Sequence, residues 1–498
     1  MFFAAGSLSS TAQVRTPTDF LGYTPGTRFT PHHRVVDYVE HVAGASPWVT
    51  LQTYGESYEG RPLLLATVTA PQNHARLEEL RAKHLAQTGL TDAAPAEGEV
   101  AVVWLSYGIH GNESVSTESA LVTLHHLVSR PEAQEWLENT VVLLDPCLNP
   151  DGRERYVHWY QQTVGYPNNP HPDAWEHHEP WPRGRGNHYL FDLNRDWAWQ
   201  TQQESQARHT AYQRWLPHVH ADFHEMGPDD SYFFAPSAEP IHAAVTDFQR
   251  EFQGTIGRNH ADYFDREGWR YFTREVYDLF YPSYGDTWPV LHGAIGMTYE
   301  QGGSGRAGLA YIVDNGDTLT LSERLIHHHT TGLSTVEAAA THADRLNQEF
   351  RAYFKRAVDA PDGTYKTYVL RGDTPARRDL LDYLTRQQVR WGYAERATNV
   401  RGAYDYQSGR TGDLRTGTAD VIVPAAQPYA ALVRTLFEPR TALPDSLTYD
   451  ITAWALPYAW GVEAYATSAT LPYRAAAAPN ATTTATLTQG RPYAYVLP

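Results

Sequence analysis

The sequence predicts an α/β fold in which a mostly parallel sheet has both faces covered by helices. Two observations support this prediction: short apolar runs rich in β-branched residues, which are typical of buried strands, and helical patterns of apolar residues between them. Strands that alternate with helices favour a parallel sheet, because each crossover places a helix on one of its faces. The 498 residues, 42% of them hydrophobic, provide enough core for more than one domain.

The first domain contains most of the predicted strands and the longest predicted helices. Its predicted strands cover residues 62–68, 100–105, 140–144, 218–223 and 294–299. Its predicted helices cover residues 116–128, 204–216 and 322–357. In an open α/β sheet, ligands bind beyond the carboxyl ends of the strands. Residues that directly follow these runs are therefore candidates for a shared site.

A second, smaller α/β domain is predicted after the turn at Pro361 and Gly363. The predicted boundaries are an N-terminal segment over residues 1–29, a first domain over 30–358, an accessory domain over 364–474 and a tail over 475–498. The first thirteen residues are apolar, then small and polar, which suggests the remnant of a signal peptide. The tail is rich in Ala and Thr, as in a linker.

Composition excludes several functional classes. The net charge is −17 at pH 7, whereas a protein that binds duplex nucleic acid normally presents a basic face, so no nucleic-acid partner is expected. Cys147 is the single cysteine, which excludes an internal disulfide and a cysteine-rich metal cluster. No run of 18 apolar residues is present that would predict a membrane-spanning helix. Any metal must be bound by His, Asp and Glu side chains.

Such side chains follow two of the predicted strands. His110 and Glu113 lie three residues apart in a glycine-containing turn after strand 100–105, and His224 lies at the end of strand 218–223. Imidazole nitrogen and carboxylate oxygen are ligands that zinc accepts, and a catalytic zinc has three protein ligands and one open position. His218 and His220 alternate with His224 along the same strand and compete for the ligand role. We favour His224 because it lies where the strand ends.

Further polar residues lie between these positions and after them. Glu300 ends the predicted strand 294–299, and Asn194 and Arg195 are adjacent in the chain. Two more arginines, Arg183 and Arg185, lie just upstream of that pair. Arginine binds a carboxylate through two parallel hydrogen bonds, and a carboxylate close to a metal can serve as a general base. The sequence therefore predicts a site that combines a metal, a base and an anion-binding group.

In the order and spacing of these motifs, the chain resembles the carboxypeptidase A-like zinc metallocarboxypeptidase family, from about residue 30 to residue 351. That family has the same His-x-x-Glu motif, a distant histidine, an Asn-Arg pair and a later glutamate, and Asn149-Pro-Asp-Gly152 matches another of its motifs. The resemblance implies that His110, Glu113 and His224 bind one zinc ion per chain. It also implies that Glu300 is the catalytic base.

The same resemblance implies the remaining roles and the architecture. Asn194 and Arg195 would bind the terminal carboxylate of a peptide substrate with a free C-terminus, and Arg183 or Arg185 would stabilise the oxyanion. The family's substrate-closing tyrosine is not assigned, because Tyr281 and Tyr284 both lie at an unexpected distance from Glu300. The implied fold is an α/β/α sandwich with a mixed, mostly parallel and twisted sheet of about eight strands.

The expected function is zinc-dependent hydrolysis of C-terminal residues of peptides by a promoted-water mechanism. Two alternatives remain open at this level. One is a zinc amidohydrolase on the same scaffold, acting as a deacylase or on peptidoglycan stem peptides; the other is a catalytically inactive peptide-binding module. The family resemblance and the signal-like start favour an extracytoplasmic location, secreted or periplasmic. The preferred substrate side chain and the role of the accessory domain are not indicated by the sequence.

Overall fold

The computed structural model describes residues 13–443 and 453–476. These residues form two compact units. The first contains residues 13–362, 428–443 and 453–454, and the second contains residues 363–427 and 455–476. Most of the proposed signal-peptide remnant and of the predicted tail lies outside the described residues.

The first unit is built on an eight-stranded sheet with the order β1-β2-β4-β3-β5-β10-β6-β8. The strands of this unit are β1 Val49–Glu56, β2 Pro62–Val68, β3 Ala101–Tyr107, β4 Thr140–Asp145, β5 Val219–Met226, β6 Tyr232–Phe233, β7 Ala238–Ile241, β8 Tyr271–Phe272, β9 Asp278–Leu279, β10 Ile295–Gly302, β11 Ala310–Ile312 and β12 Thr318–Thr320. Strands β7 and β9 pair with each other, as do β11 and β12.

The central strands of the large sheet are parallel, and its edges are partly antiparallel. Strand β3 pairs in parallel with β4 and β5, and β5 pairs in parallel with β10. The pairs β1–β2, β2–β4 and β6–β10 are antiparallel. The prediction of a mixed, mostly parallel sheet of about eight strands is therefore confirmed, and the carboxyl ends of β3, β5 and β10 lie side by side.

The helices of the first unit are α1 Pro17–Leu21, α2 His32–Ala45, α3 Pro71–His74, α4 Leu77–Ala86, α5 Val115–Ser129, α6 Pro131–Trp136, α7 Pro150–Thr163, α8 Gln203–Gln213, α9 Asp247–Glu267, α10 Thr287–Val290, α11 Leu321–Thr341 and α12 Ala343–Asp359. The single helix predicted over residues 322–357 is interrupted at His342, whose backbone departs from helical geometry. None of the helices in the described part of the chain has the length and apolarity to cross a membrane.

The core of the first unit explains why the sheet forms here. The residues of β3 and β4 are buried along their whole length, as the continuous apolar runs predict for strands covered on both faces. Val103 and Leu105 of β3 pack in one cluster with Leu121 and Leu124 of α5 and with Val336 of α11. Burying these apolar side chains is the main stabilising contribution, at about 1.5–3 kcal/mol for each large one.

The second unit contains a seven-stranded sheet with the order β16-β15-β18-β13-β17-β14-β19, in which the paired strands run antiparallel. Its strands are β13 Thr367–Leu370, β14 Gly392–Ala394, β15 Asn399–Asp405, β16 Arg410–Arg415, β17 Val421–Pro424, β18 Ala464–Thr467 and β19 Tyr473–Ala475. Its helix α13 spans Pro375–Arg386, and a short helix spans Leu456–Ala459. This is the extra C-terminal α/β domain that the sequence predicts.

Two segments group differently from the predicted boundaries. Residues 13–29, predicted to precede the first domain, belong to the first unit, where Phe29 packs edge-on against Tyr160. Helix α14 Ala430–Phe437, predicted within the accessory domain, also belongs to the first unit. The reason is tertiary packing: the Tyr429 hydroxyl donates a hydrogen bond to Gln213, and the centre of its ring lies 4.8 Å from that of His292.

Candidate metal centre

Three of the predicted site residues converge at the carboxyl ends of β3 and β5. The Nδ1 atoms of His110 and His224 lie 3.2 Å apart. The Glu113 carboxylate lies between them, with Oε1 2.9 Å from His110 Nδ1 and Oε2 3.1 Å from His224 Nδ1. One potential ligand atom from each residue falls within 4.8 Å of the others. All three side chains are buried.

Each imidazole has one aspartate carboxylate beside its Nε2 atom. His110 Nε2 lies 3.0 Å from Asp192 Oδ1, and His224 Nε2 lies 2.9 Å from Asp222 Oδ2. A carboxylate at Nε2 fixes the ring orientation and leaves Nδ1 as the lone-pair donor, as is usual for histidines that bind metals. Sequence reasoning missed both aspartates, although Asp192 lies two residues before Asn194 and Asp222 two residues before His224.

The charges around the cluster favour a cation at its centre. Burial opposes charge on His224, yet the carboxylates of Asp222 and Glu113 raise the pKa of its imidazole well above the ordinary value. Burial would likewise raise the pKa of Glu113, but the two imidazoles lower it. A positive charge is thus stabilised at the point where the three ligand atoms meet. Two imidazole nitrogens and one carboxylate form a donor set that zinc accepts, so the residues present fit that ion.

Glu300 lies beside this cluster on β10. Strands β10 and β5 pair in parallel with Glu300 opposite His224, so both side chains project from the same face of the sheet. The Glu300 carboxyl is nearly buried, and burial together with the nearby Glu113 carboxylate raises its pKa well above the ordinary value. A carboxyl group with a raised pKa next to a metal site is suited to accept and return a proton.

Asn194 and Arg195 line the same cleft as the three clustered residues and Glu300. The Asn194 amide nitrogen is 3.2 Å from His224 Nε2, and its oxygen accepts a hydrogen bond from the Gly285 backbone at 2.8 Å. The Arg195 guanidinium lies 4.4 Å from the centre of the Tyr284 ring. This stacking orients the guanidinium, and its side chain stays one-third exposed to the cleft.

The structure separates the two candidate arginines. Arg185 lines the cleft, where its Nη2 lies 3.0 Å from Asp192 Oδ2 and its Nη1 lies 3.3 Å from Glu113 Oε1. Arg183 does not line the cleft; its carbonyl accepts a hydrogen bond from Arg155 Nη1. Only one of the two side chains lines the cleft because the backbone turns at Arg183, which adopts a φ of 54°.

The cleft encloses a cavity of about 190 Å³ that opens to solvent. Besides the residues above, it is lined by Glu225, Tyr277, Asp278, Tyr284, Asp286 and Thr298. Of the two tyrosines considered from the sequence, Tyr284 lines the cleft and Tyr281 does not. Tyr277 lines it as well and was missed, because a residue in an irregular segment carries no periodic signal.

The neighbouring histidines have structural roles. His218 Nδ1 accepts a hydrogen bond from the Val102 backbone at 2.9 Å, and the His220 ring packs between Trp104 and Trp197. Burial lowers the pKa of His220 to about 3, so the ring is neutral. Neither histidine belongs to the metal cluster. Glu225 is paired with the buried Arg324 at 2.6 Å.

The structure thus places a possible metal site of two histidines and one carboxylate at the strand ends of a mixed α/β sheet. Residues 35–259 match the family model described as zinc carboxypeptidase. This part of the chain is therefore similar to the zinc carboxypeptidase family, in agreement with the resemblance seen in the sequence motifs.

Individual relatives are more distant. The chain is 28% identical over 143 residues to "Probable carboxypeptidase 2" of Arthroderma benhamiae, which is 28% of this chain and 22% of that protein. It has the same identity over the same length to "Carboxypeptidase 2" of Trichophyton rubrum. The chain thus spans about a fifth of the length of these curated relatives.

Solved structures match a larger share of the chain at lower sequence identity. A metallo-carboxypeptidase from Burkholderia cenocepacia superposes with a TM-score of 0.43 at 16% identity, covering 62% of this chain and 68% of that one. Bovine thrombin-activatable fibrinolysis inhibitor superposes with a TM-score of 0.45 at 16% identity, covering 65% of this chain and 99% of that one.

Proposed function

We propose that this protein is a zinc-dependent carboxypeptidase that removes C-terminal residues from peptides. The observation that carries the proposal is the convergence of His110, Glu113 and His224, with Glu300 beside them on β10. The match of residues 35–259 to the zinc carboxypeptidase family supports the same activity. One zinc ion per chain and an extracytoplasmic location remain part of this proposal, the latter resting on the family resemblance.

The three clustered ligands, Glu300 and the two orienting aspartates each have a role in this proposal. When bound by His110, Glu113 and His224, a zinc ion supplies Lewis acidity toward the scissile carbonyl and toward water. Glu300 accepts a proton from the attacking water and donates it to the amine that leaves. Asp192 and Asp222 orient the imidazoles through their Nε2 atoms.

Two arginines determine how the substrate is held. Arg195 and the Asn194 amide bind the free C-terminal carboxylate, which places the last peptide bond between the metal ligands and Glu300. Arg185 donates hydrogen bonds to the oxyanion that develops on the scissile carbonyl, because it projects into the cleft next to Glu113. The requirement for a free carboxylate makes the enzyme an exopeptidase.

The direct test combines metal analysis with hydrolysis of a panel of N-blocked peptides, with and without a chelator. We expect about one zinc ion per chain, release of single C-terminal residues, loss of release on chelation and recovery on addition of zinc. The panel includes C-terminally amidated peptides, acyl-amino acids and muropeptides. Hydrolysis of only acyl-amino acids or muropeptides would replace the carboxypeptidase assignment with one of those activities.

Removing the Arg195 side chain should weaken the binding of peptides with a free C-terminus. Losing a charge-assisted pair inside the cleft costs about 2–3 kcal/mol, so Arg195→Ala should raise KM by about 10²-fold. Any residual hydrolysis of the amidated peptides should change little. Arg195→Lys keeps the charge but loses the planar fork, so its KM for free-carboxylate peptides should lie between the wild-type value and that of Arg195→Ala. Equal losses on free and amidated substrates would contradict the exopeptidase assignment.

Arg185 and Arg183 provide a matched pair of variants. Arg185→Ala should lower kcat by about 10²–10³-fold with a smaller effect on KM, because an oxyanion donor acts mainly in the transition state. Arg183→Ala should leave both constants within about twofold, since surface substitutions usually have small effects. Steady-state kinetics on one good peptide measures kcat and KM for both variants. A large loss of kcat in Arg183→Ala with little change in Arg185→Ala would exclude Arg185 as the oxyanion donor.

A further inference from the structure

Arg185 differs from the metal ligands because packing does not fix its side chain. The ligands are buried, whereas the Arg185 side chain is 45% exposed and belongs to an irregular segment. Its guanidinium pairs with Asp192 and Glu113, which orient it only if the backbone brings it within reach. An oxyanion donor acts only when it is held at the right point. What holds the backbone is therefore part of the site, an inference that rests on the proposed function.

The segment that carries Arg185, residues 183–187, lies directly against two other segments of the site. A Cβ atom on Gly184 would lie 2.5 Å from the Gly152 carbonyl oxygen in α7. One on Gly111, in the turn that carries two of the metal ligands, would lie 2.6 Å from the Gly184 carbonyl oxygen. Side chains at these positions would push the three segments apart. Because all three residues are glycine, the segments pack backbone against backbone.

Arg155 of α7 holds the segment through three carbonyl groups. Its Nη1 donates hydrogen bonds to the carbonyl oxygens of Arg183 at 2.9 Å and Gly186 at 3.4 Å. Its Nη2 donates one to the carbonyl oxygen of Asn187 at 3.1 Å. These carbonyls lie on both sides of Arg185 in the chain. Since the donors of a guanidinium form a rigid planar fork, one side chain fixes the curvature of the segment.

Glu179 holds the same segment through a backbone amide. Its Oε1 accepts a hydrogen bond from the Gly184 backbone N–H, and its Oε2 accepts one from the Asn112 side chain at 2.8 Å. Asn112 directly precedes the metal ligand Glu113, so one carboxylate connects the metal-binding turn with the residue before Arg185. Hydrogen bonds to a charged acceptor are roughly twice as strong as neutral ones.

The carbonyl of Arg185 is hydrogen-bonded as well. It accepts a bond from Asn149 Nδ2 at 3.1 Å and one from the Gly111 backbone N–H at 3.4 Å. Each residue from 183 to 187 thus has a backbone group bonded to a residue outside the segment. Arg155 and Glu179 are the charged members of this set, and neither lines the cleft. A change in either reaches the reaction through the segment that carries Arg185.

We propose that Arg155 and Glu179 are positioning residues, which hold residues 183–187 so that the Arg185 guanidinium meets the developing oxyanion. Misplacing a catalytic group by about 1 Å can cost about 10²-fold in rate. Loosening the segment should therefore lower kcat. Binding of the substrate carboxylate at Arg195 does not depend on this segment, so KM should change little.

Steady-state kinetics of Arg155→Met and Glu179→Gln on an N-blocked peptide is the first test. Each variant should lower kcat by about 10-fold and change KM by less than about threefold, because the lost bonds hold the oxyanion donor and not the substrate. Arg155→Lys keeps the charge but not the fork, so its kcat should lie between those of the wild type and Arg155→Met. Zinc content and unfolding temperature are measured for each variant, so that a folding defect is recognised. Unchanged kcat in both variants would overturn the proposal.

A merely structural role is distinguished by combining each change with Arg185→Ala. If Arg155 and Glu179 act through Arg185, each double variant should have a kcat within about twofold of that of Arg185→Ala, because the group they position is already absent. A further ~10-fold loss in a double variant would show that the two effects are independent, and would overturn the proposal for the residue concerned.

Glu176→Gln is the matched control for Glu179→Gln. Glu176 lies three positions earlier and also accepts hydrogen bonds from backbone amides, from Gly165 at 2.9 Å and Asn169 at 3.1 Å. It holds a different part of the same loop, so its substitution should lower stability but leave kcat within about twofold of the wild-type value. An equal loss of kcat in Glu176→Gln would show that any disturbance of the loop lowers the rate, and would overturn the specific assignment.

Hydrogen exchange followed by mass spectrometry tests the hold on the segment without relying on activity. In Arg155→Met and Glu179→Gln, the amides of residues 183–187 should exchange at least ~10-fold faster than in the wild type, with those of β3 unchanged. In Glu176→Gln, the faster exchange should fall on residues 165–169. Unchanged exchange at residues 183–187 would overturn the proposal. Faster exchange there, in a protein that releases no residue from any peptide, would overturn the proposed function and the oxyanion role but not the hold on the segment.

Discussion

Glu300→Gln should lower kcat by about 10²–10⁴-fold, the contribution typical of a positioned general acid–base group. The amide keeps the size of the side chain but cannot take the proton from water or return it to the leaving amine. Because Glu300 is not one of the three clustered ligands, zinc should remain bound at the wild-type stoichiometry. Single-turnover kinetics and elemental analysis of the same sample measure the two effects.

The control for Glu300→Gln is the similar substitution Glu225→Gln. Glu225 also lines the cleft, but its carboxylate is paired with Arg324 at 2.6 Å. We expect this variant to lose stability, because removing one partner of a buried ion pair leaves the other charge uncompensated. The folded fraction should retain far more activity than Glu300→Gln. Unchanged turnover in Glu300→Gln would exclude the proposed base.

His110→Ala and His224→Ala should each abolish stable zinc binding and, with it, measurable peptide hydrolysis. Each substitution removes one of three ligands and leaves Asp192 or Asp222 without its imidazole partner. Three protein ligands are typical of a catalytic zinc, and two do not form such a site. Elemental analysis after dialysis, together with chelator competition, measures the loss independently of activity.

His220→Leu is the matched control, because His220 lies on the same strand as His224 but packs between two tryptophans. Both of its ring nitrogens are buried without a hydrogen-bond partner. Replacing such a group with an apolar one of similar size is close to neutral for stability. Zinc content and activity should therefore be retained. Loss of zinc in His220→Leu, with zinc retained in His224→Ala, would reverse the ligand assignment.

Much of the fold could be predicted because its signals are local. The buried strands β3 and β4 are continuous apolar runs, and α5 has apolar residues at helical spacing, so each is recognisable within a short window. Domain limits are not local. The grouping of Phe29 with the first unit depends on contact with Tyr160, more than a hundred residues away.

The residues of the candidate site were likewise predictable from the sequence only in part. His110, Glu113 and His224 could be predicted because each follows a recognisable strand, and carboxyl ends of parallel strands meet at one edge. Arg185 and Arg183 could not be distinguished, because a single backbone turn in an irregular loop directs one toward the cleft and the other away from it. Loop conformation depends on tertiary contacts and has no periodic signature.

The sequence by itself determined the main alternation of strands and helices and the candidate ligand types, because composition and spacing are properties of the chain alone. Only the tertiary structure decided which carboxylates orient the imidazoles and which arginine faces the cleft. These depend on side chains far apart in sequence, such as His110 and Asp192, whose Nε2 and Oδ1 atoms lie 3.0 Å apart although 82 positions separate the residues. Such proximity arises only when the chain is packed.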